Sequence, residues 1–191
     1  MTEKQDRLIS LDVFRGATIA LMILVNNPGT WAHVYAPLRH AKWHGCTLTD
    51  LVFPFFLFIV GVSMRFSFEK YDFSKWGPLF RKVFNRSITI FMIGLLLNAF
   101  PFVRQDWDWS HFRVMGVLQR IAFAYFFASF IVARSDIKRI VKISVALLVG
   151  YWLLLSSYGW YTGLDPYALK SNLTLVVDSL IIGSNHLYGG M

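Results

Sequence analysis

Two histidines, a lysine and an aspartate crowd the segment His40-Ala-Lys-Trp-His-Gly-Cys-Thr-Leu-Thr-Asp50, immediately ahead of the apolar run Leu51-Val-Phe-Pro-Phe-Phe-Leu-Phe-Ile-Val-Gly61. Imidazole can take up or release a proton near neutral pH, or attack an electrophile itself. Asp50 or another carboxylate can orient it, as the acid of a catalytic triad does. Titratable groups at the mouth of a bilayer-length apolar run are costly to place there, which marks them as a functional site. His40 and His44 are four residues apart, the spacing of a two-histidine metal site on one helical face. Gly45 and the loop setting argue against a regular helix, no carboxylate sits between the two, and no metal is expected. The single cysteine, Cys46, excludes an internal disulfide and a cysteine-based metal site. It reads as a small packing residue at a helix mouth in preference to a catalytic thiol.

The elements that must position these residues are membrane helices. Charged residues are only 16% of the 191, against about 25% in a typical soluble domain. Several apolar runs approach the roughly 20 residues that cross a hydrocarbon core of about 30 Å. Five spans are expected, at about 10–25, 48–64, 83–102, 114–133 and 140–157. The fold class is therefore all-α, a polytopic integral membrane protein read as one membrane domain over residues 1–191. The first span is no cleavable signal peptide, since Asp12 and Arg15 break it and no small-residue cleavage site follows. In the tail, residues 158–191, the apolar patch 173–182 holds Asp178 and is too short to cross, so it reads as a surface or re-entrant helix.

Orientation follows from Lys and Arg. Lys4, Arg7, Arg65, Lys70, Lys75, Arg81, Lys82, Arg86, Arg134, Lys138, Arg139 and Lys142 fall on one side, twelve in all, against the five Arg39, Lys42, Arg104, Arg113 and Lys170 on the other. The N-terminus is thus placed in the cytoplasm, and the His40–Gly45 loop, the loop 107–110 and the tail face outward. The net charge of +8 is mostly cytoplasmic loop charge facing anionic lipid. No nucleic-acid partner is expected, because topology scatters the basic residues and no binding motif accompanies them.

Polar residues within the spans complete the pattern. Asp12 and Arg15, three apart, can pair on one helical face. Asn26 and Asn27 close span one ahead of Pro28-Gly29, and Asn98 ends span three. Arg120 lies too far into span four to snorkel easily, so a polar cavity or a carboxylate is expected beside it, with Asp50 the natural candidate. Topology puts Asn26, His40, His44, Asp50, Asn98, Arg113 and Arg120 at similar depth, an outward polar pocket. A transporter would show paired spans broken by Gly or Pro, a pattern this chain lacks.

At these residues a family can be named. Ser10-Leu-Asp-Val-Phe-Arg-Gly16, Leu24-Val-Asn-Asn27, His40-Ala-Lys-Trp-His-Gly45 and Thr49-Asp-Leu-Val-Phe-Pro54 resemble, in order, the heparan-α-glucosaminide N-acetyltransferases and their bacterial relatives. Arg113-Val-Met-Gly-Val-Leu-Gln-Arg-Ile-Ala122 and Asn185-His-Leu-Tyr188 look like later motifs of the same family. The resemblance implies a multi-span acyltransferase that takes acetyl from cytoplasmic acetyl-CoA and delivers it to a glucosamine-type amine across the membrane. The family's active-site histidine falls on His40 and an active-site asparagine on Asn26. The family tolerates Asn where His44 stands.

On this reading His40, Asn26 and Asp50 are catalytic, Asn26 as a donor to the developing oxyanion. Arg15, Arg65 and Arg86 face the CoA phosphates, and His44, Asn98, Arg113 and Arg120 line the acceptor pocket. The expected partners are an amino-sugar or glycan acceptor and the bilayer of a bacterial inner membrane, with a homodimer left open. Relatives continue past the His-Leu-Tyr motif with a Pro-Glu-Gly-containing segment and further spans. The chain is therefore expected to be the N-terminal portion of a longer enzyme or a shortened relative, and inactive alone if the missing half lines the acyl-CoA tunnel. A sugar O-acyltransferase, using the same base and donor, and a non-enzymatic transporter or scaffold are the alternatives.

The charge asymmetry makes a direct prediction. In a Cys46→Ser background, a cysteine replacing Lys75 should react with an impermeant maleimide only from the cytoplasm, and one replacing Lys170 only from outside. Labelling of both from one side would overturn the orientation.

Overall fold

A computed structural model gives the fold and describes residues 9–68, 71, 76–100, 112–183 and 186. It is helical, with no strand among the described residues. The helices are α1 (Ile9–Asn26), α2 (Val52–Phe68), α3 (Trp76–Ala99), α4 (Val117–Arg134), α5 (Ile137–Thr162) and α6 (Leu173–Ile182). Three single 3-10 turns, Trp31–His33, Ala36–Leu38 and Thr49–Leu51, punctuate the connection from α1 to α2, the last running straight into α2. The chain divides into two compact units, residues 1–69 and 70–191.

Four helices are long and apolar enough to cross a membrane: Ile9–Asn26, Thr49–Phe68, Val117–Arg134 and Ile137–Thr162. The fifth expected span corresponds to α3, which has the length, 24 residues, but carries Arg81, Lys82, Asn85 and Arg86 through its first half. Those residues dilute its hydropathy and shift its apolar part toward the Ala99 end. Large apolar side chains on α5, among them Leu147, Leu148, Trp152 and Leu154, are exposed. In water such a face would be untenable over 26 residues, whereas lipid solvates it. The chain is a polytopic membrane protein.

In the first unit α1 and α2 form an antiparallel pair. Near the start of α1, Phe14 packs edge-on against Phe55 at 5.2 Å and Phe58 at 6.1 Å. One residue on, Arg15 reaches Ser63 Oγ late in α2, 3.1 Å away. Thr18, almost fully buried, returns its hydroxyl to the Phe14 carbonyl at 2.8 Å, which satisfies it within α1.

In the second unit α3 and α4 are the tightly packed pair, and their register can be read from the contacts. Phe80 meets Phe130 at 6.1 Å, Phe84 meets Phe126 at 6.4 Å and Phe91 meets Phe123 at 5.8 Å. This is an antiparallel aromatic ladder, each ring presenting an edge or a tilted face to its neighbour. Further along the same register the large rings give way to small residues. Gly94 of α3 sits against the side chain of Gln119 of α4, and a methyl group on Gly94 would lie 2.8 Å from Nε2 and 2.9 Å from Oε1. Close approach of backbones at small residues is how helices in membranes come together without a hydrophobic driving force.

The connection from α4 to α5 is two residues, Ser135-Asp136. At its far end α5 stops at Gly163, whose φ of +69° only glycine adopts readily. Pro166 then packs onto Gly159. The chain turns back into α6, capped by Asn172 Oδ1, which accepts from the Leu175 N–H at 2.8 Å. Tyr151 of α5 bonds Thr174 of α6 at 3.2 Å. The tail helix thus has the expected bounds, and its first turn is tied to α5 by that bond.

Gly94→Ala tests the α3–α4 register. The added methyl has no room beside the buried Gln119 amide, so the substitution should cost about 1–3 kcal/mol, seen as a lowered thermal midpoint in detergent. An unchanged midpoint would mean that the helices meet differently.

Candidate functional site

Asp50 is the hub of the first unit's polar loop. Its Oδ1 lies 2.7 Å from His40 Nδ1. Its Oδ2 accepts from the Thr47 N–H at 2.9 Å, the Thr47 hydroxyl at 2.9 Å and the Ala41 N–H at 3.2 Å. One carboxylate therefore closes the whole excursion between residues 41 and 47, much as an aspartate closes a shorter turn. Gly45 takes φ +123° within that excursion, which a residue with a side chain rarely adopts. The segment is irregular, so His40 and His44 do not share a helical face. Among the described residues no group of three His, Cys, Asp or Glu side chains comes together.

The pair has a defined chemical sense. A carboxylate accepts, so the Nδ1 of His40 carries the hydrogen, and in the neutral ring Nε2 is left with the lone pair. The His40 side chain is 68% exposed, so Nε2 is open to an incoming molecule. His44 is also exposed, its ring edge-on to Trp43 at 6.5 Å. Asn26, on the last turn of α1, donates Nδ2 to the Met22 carbonyl at 2.9 Å. No hydrogen bond joins Asn26 to His40 among the described residues, but an amide NH2 has a second hydrogen to offer.

The three arginines assigned to phosphate are placed differently. Arg15 is engaged twice within its unit, by Asp12 at 3.1 Å and Ser63 at 3.1 Å. Arg65 is exposed near the end of α2. Arg86, exposed on α3, lies over the Tyr125 ring at 5.1 Å, a cation–π contact that leaves its N–H edges available. Each guanidinium carries N–H donors of the kind an anion accepts from, those of Arg15 shared with Asp12 and Ser63.

The second unit holds the remaining residues. Asn98, near the end of α3, donates Nδ2 to the Arg113 carbonyl at 3.0 Å. Arg113 lies ahead of α4, which starts at Val117 and not at 114 as the sequence suggests. Its Nε bonds the Met115 carbonyl at 3.0 Å. Gln119 is 1% exposed, and its Oε1 accepts from the Gly116 N–H at 3.0 Å. That bond caps α4 where Gly116 has no side chain to do so. Arg120 is exposed on α4.

Two residues carry more structure than sequence reasoning gave them. One is Gln119, which sequence treats only as an interruption of span four. Its signal was a polar residue at a core-facing position. The other is His186, whose Nδ1 lies 2.6 Å from the Phe112 carbonyl, 74 residues earlier in the chain. Its signal was its place in the Asn185-His-Leu-Tyr188 motif. Arg104, the loop 107–110, Asn185 and Tyr188 lie outside the described residues.

A family model described as heparan-alpha-glucosaminide N-acetyltransferase, catalytic, matches residues 7–174. The chain is 37% identical over 123 residues to the heparan-alpha-glucosaminide N-acetyltransferase of Homo sapiens, a stretch covering 63% of this chain and 18% of that relative. To the Mus musculus protein of the same name it is 36% identical over 124 residues, with the same 63% and 18% coverage. The matched stretch is thus under a fifth of the length of these curated relatives.

The Asp50 hub is testable in isolation. Asp50→Ala removes the acceptor from the Ala41 and Thr47 amides, so their hydrogen exchange should accelerate on the order of tenfold or more, the scale of a lost charge-assisted bond. Asp50→Asn, which keeps one oxygen acceptor, should fall between. Unchanged exchange at both amides would show that the loop is held by something else.

Proposed function

The chain belongs to the heparan-α-glucosaminide N-acetyltransferase family, and from that membership together with the His40–Asp50 pair we propose that it serves acetyl transfer across a membrane to an amino sugar. Acetyl-CoA supplies the acetyl group as a thioester from the cytoplasmic side. The acceptor is a glucosamine-type amine on the outer side, and the membrane is a bacterial plasma membrane with the N-terminus in the cytoplasm, as the Lys/Arg asymmetry supports.

The observation that carries the reading is the 2.7 Å bond between His40 Nδ1 and Asp50 with Nε2 left exposed. Nε2 accepts a proton from the amine as its nitrogen attacks the acetyl carbonyl, Asp50 supports the positive charge the ring acquires, and the C–S bond breaks with CoA leaving as the thiol on taking up that proton. The same Nε2 can instead attack the carbonyl itself, CoA leaving as the thiolate, and then pass the acetyl group to the amine. The second amide hydrogen of Asn26 is the donor suited to the carbonyl oxygen as it gains negative charge. Arg15 and Arg65 of the first unit, and Arg86 of the second, are the cationic groups proposed for charge-assisted bonds to the phosphates. His44 in the first unit, and Asn98, Arg113 and Arg120 in the second, are the polar side chains proposed for the sugar.

His40→Ala, assayed in the whole gene product with labelled acetyl-CoA and a panel of amino sugars, should reduce turnover at least roughly 100-fold. Acetyl-CoA binding should survive, and His44→Asn should be milder. Near-normal turnover in His40→Ala would refute the assignment. An acetylated His40 trapped in the absence of acceptor would select the covalent route over direct transfer.

A further inference from the structure

The motif at Asn185-His-Leu-Tyr188 has no part in the chemistry above, yet the structure ties it to another motif of the chain. His186 lies four residues beyond α6, past Gly183, whose φ of +86° side-chain-bearing residues rarely adopt. That bend brings the ring back so that Nδ1 meets the Phe112 carbonyl at 2.6 Å. A carbonyl can only accept, so Nδ1 is the donor.

Phe112 opens a stretch, residues 112–116, that has no regular secondary structure. Such a stretch next to membrane helices should be loose unless its backbone groups are bound from outside. Here side chains from three places bind it. Asn98 of α3 donates to the Arg113 carbonyl at 3.0 Å, Gln119 of α4 accepts from the Gly116 N–H at 3.0 Å, and His186 from the tail donates to the Phe112 carbonyl. Gly94 and Gly116 leave the room that brings Gln119 and Asn98 this close. A methyl on Gly116 would lie 2.8 Å from Gln119 Oε1 and 3.2 Å from Asn98 Nδ2. The tail helix that delivers His186 is itself fixed at its other end by the Tyr151–Thr174 bond.

The one cationic side chain on this stretch is Arg113. We propose that His186 is a positioning residue for acceptor binding: it fastens residues 112–116 from the tail side and so sets Arg113 for the sugar. This rests on the acceptor-pocket role given to Arg113 above. His186 acts through the backbone it holds, and Asn98 and Gln119 hold the same stretch from the helix side.

Three variants test this in the whole gene product: His186→Ala, His186→Phe, which keeps the ring's bulk without the donor, and His186→Asn, which keeps a donor. Ala and Phe should raise the acceptor KM about tenfold, the scale of one lost hydrogen bond, while the acetyl-CoA KM and the thermal midpoint stay put. Asn should restore most of the loss. Amide exchange across residues 113–116 should quicken in Ala and Phe and not in Asn. Unchanged acceptor KM and unchanged exchange in His186→Ala would overturn the proposal. So would a fall in kcat alone that Asn does not rescue, since that marks His186 as a chemical base. Were the wild type to transfer no acetyl at all, the family-based function would fall and the acceptor role with it, while the exchange measurement would still report on the clasp.

Discussion

The geometry of the first unit's loop depends on one carboxylate. Between α1 and α2 the chain forms only single turns, so most of its backbone donors have no helix to satisfy them. Near a bilayer such donors cannot be left unpaired without cost. Asp50 answers part of this by accepting from Ala41 and Thr47 while its other oxygen meets His40. The group that shapes the loop is therefore the group that aims the imidazole. Loop geometry and histidine orientation cannot vary independently, and a side chain 68% exposed gains a direction that an unconstrained surface histidine lacks.

The second unit meets the same constraint by different means. Around residues 112–116 neutral amides from Asn98 and Gln119 serve, and small residues give them access. The aromatic ladder sets the α3–α4 register at the other end of the pair, and that register carries Gly94 to Gln119. Ring packing and backbone satisfaction are thus coupled along one helix pair. A shift by a single turn would put a ring where Gly94 is required.

Much of this was legible in the sequence, for reasons that differ from residue to residue. The spans are readable because lipid demands long apolar runs, and α6 because residues 173–182 form an apolar patch. Span three is legible from its apolar second half, whereas its start is not, since the helix begins at Trp76 and runs through Arg81, Lys82 and Arg86. The start of α4 was placed too early because Val114 and Met115 are apolar, although Gly116, capped from Gln119, sets the boundary. The His40–Asp50 bond was foreseeable as chemistry but not as geometry, since ten residues separate the pair and only the loop's own bonds bring them together. The His186–Phe112 bond spans 74 residues, and no local pattern reveals a contact that long.

The two histidines with fixed rings show why a shared wiring need not mean a shared role. Both give their Nδ1 hydrogen to an oxygen, at 2.7 Å for His40 and 2.6 Å for His186. For His40 the oxygen belongs to a carboxylate, a full charge that supports the positive charge an imidazole acquires on taking up a proton. For His186 it belongs to a backbone carbonyl, a dipole that orients the ring but supplies no compensating charge. Proton transfer favours the first arrangement, because the transition state places charge on the ring. The second suits a residue whose task is to hold a strand of backbone in place. The identity of the acceptor oxygen, more than the histidine itself, separates the two roles.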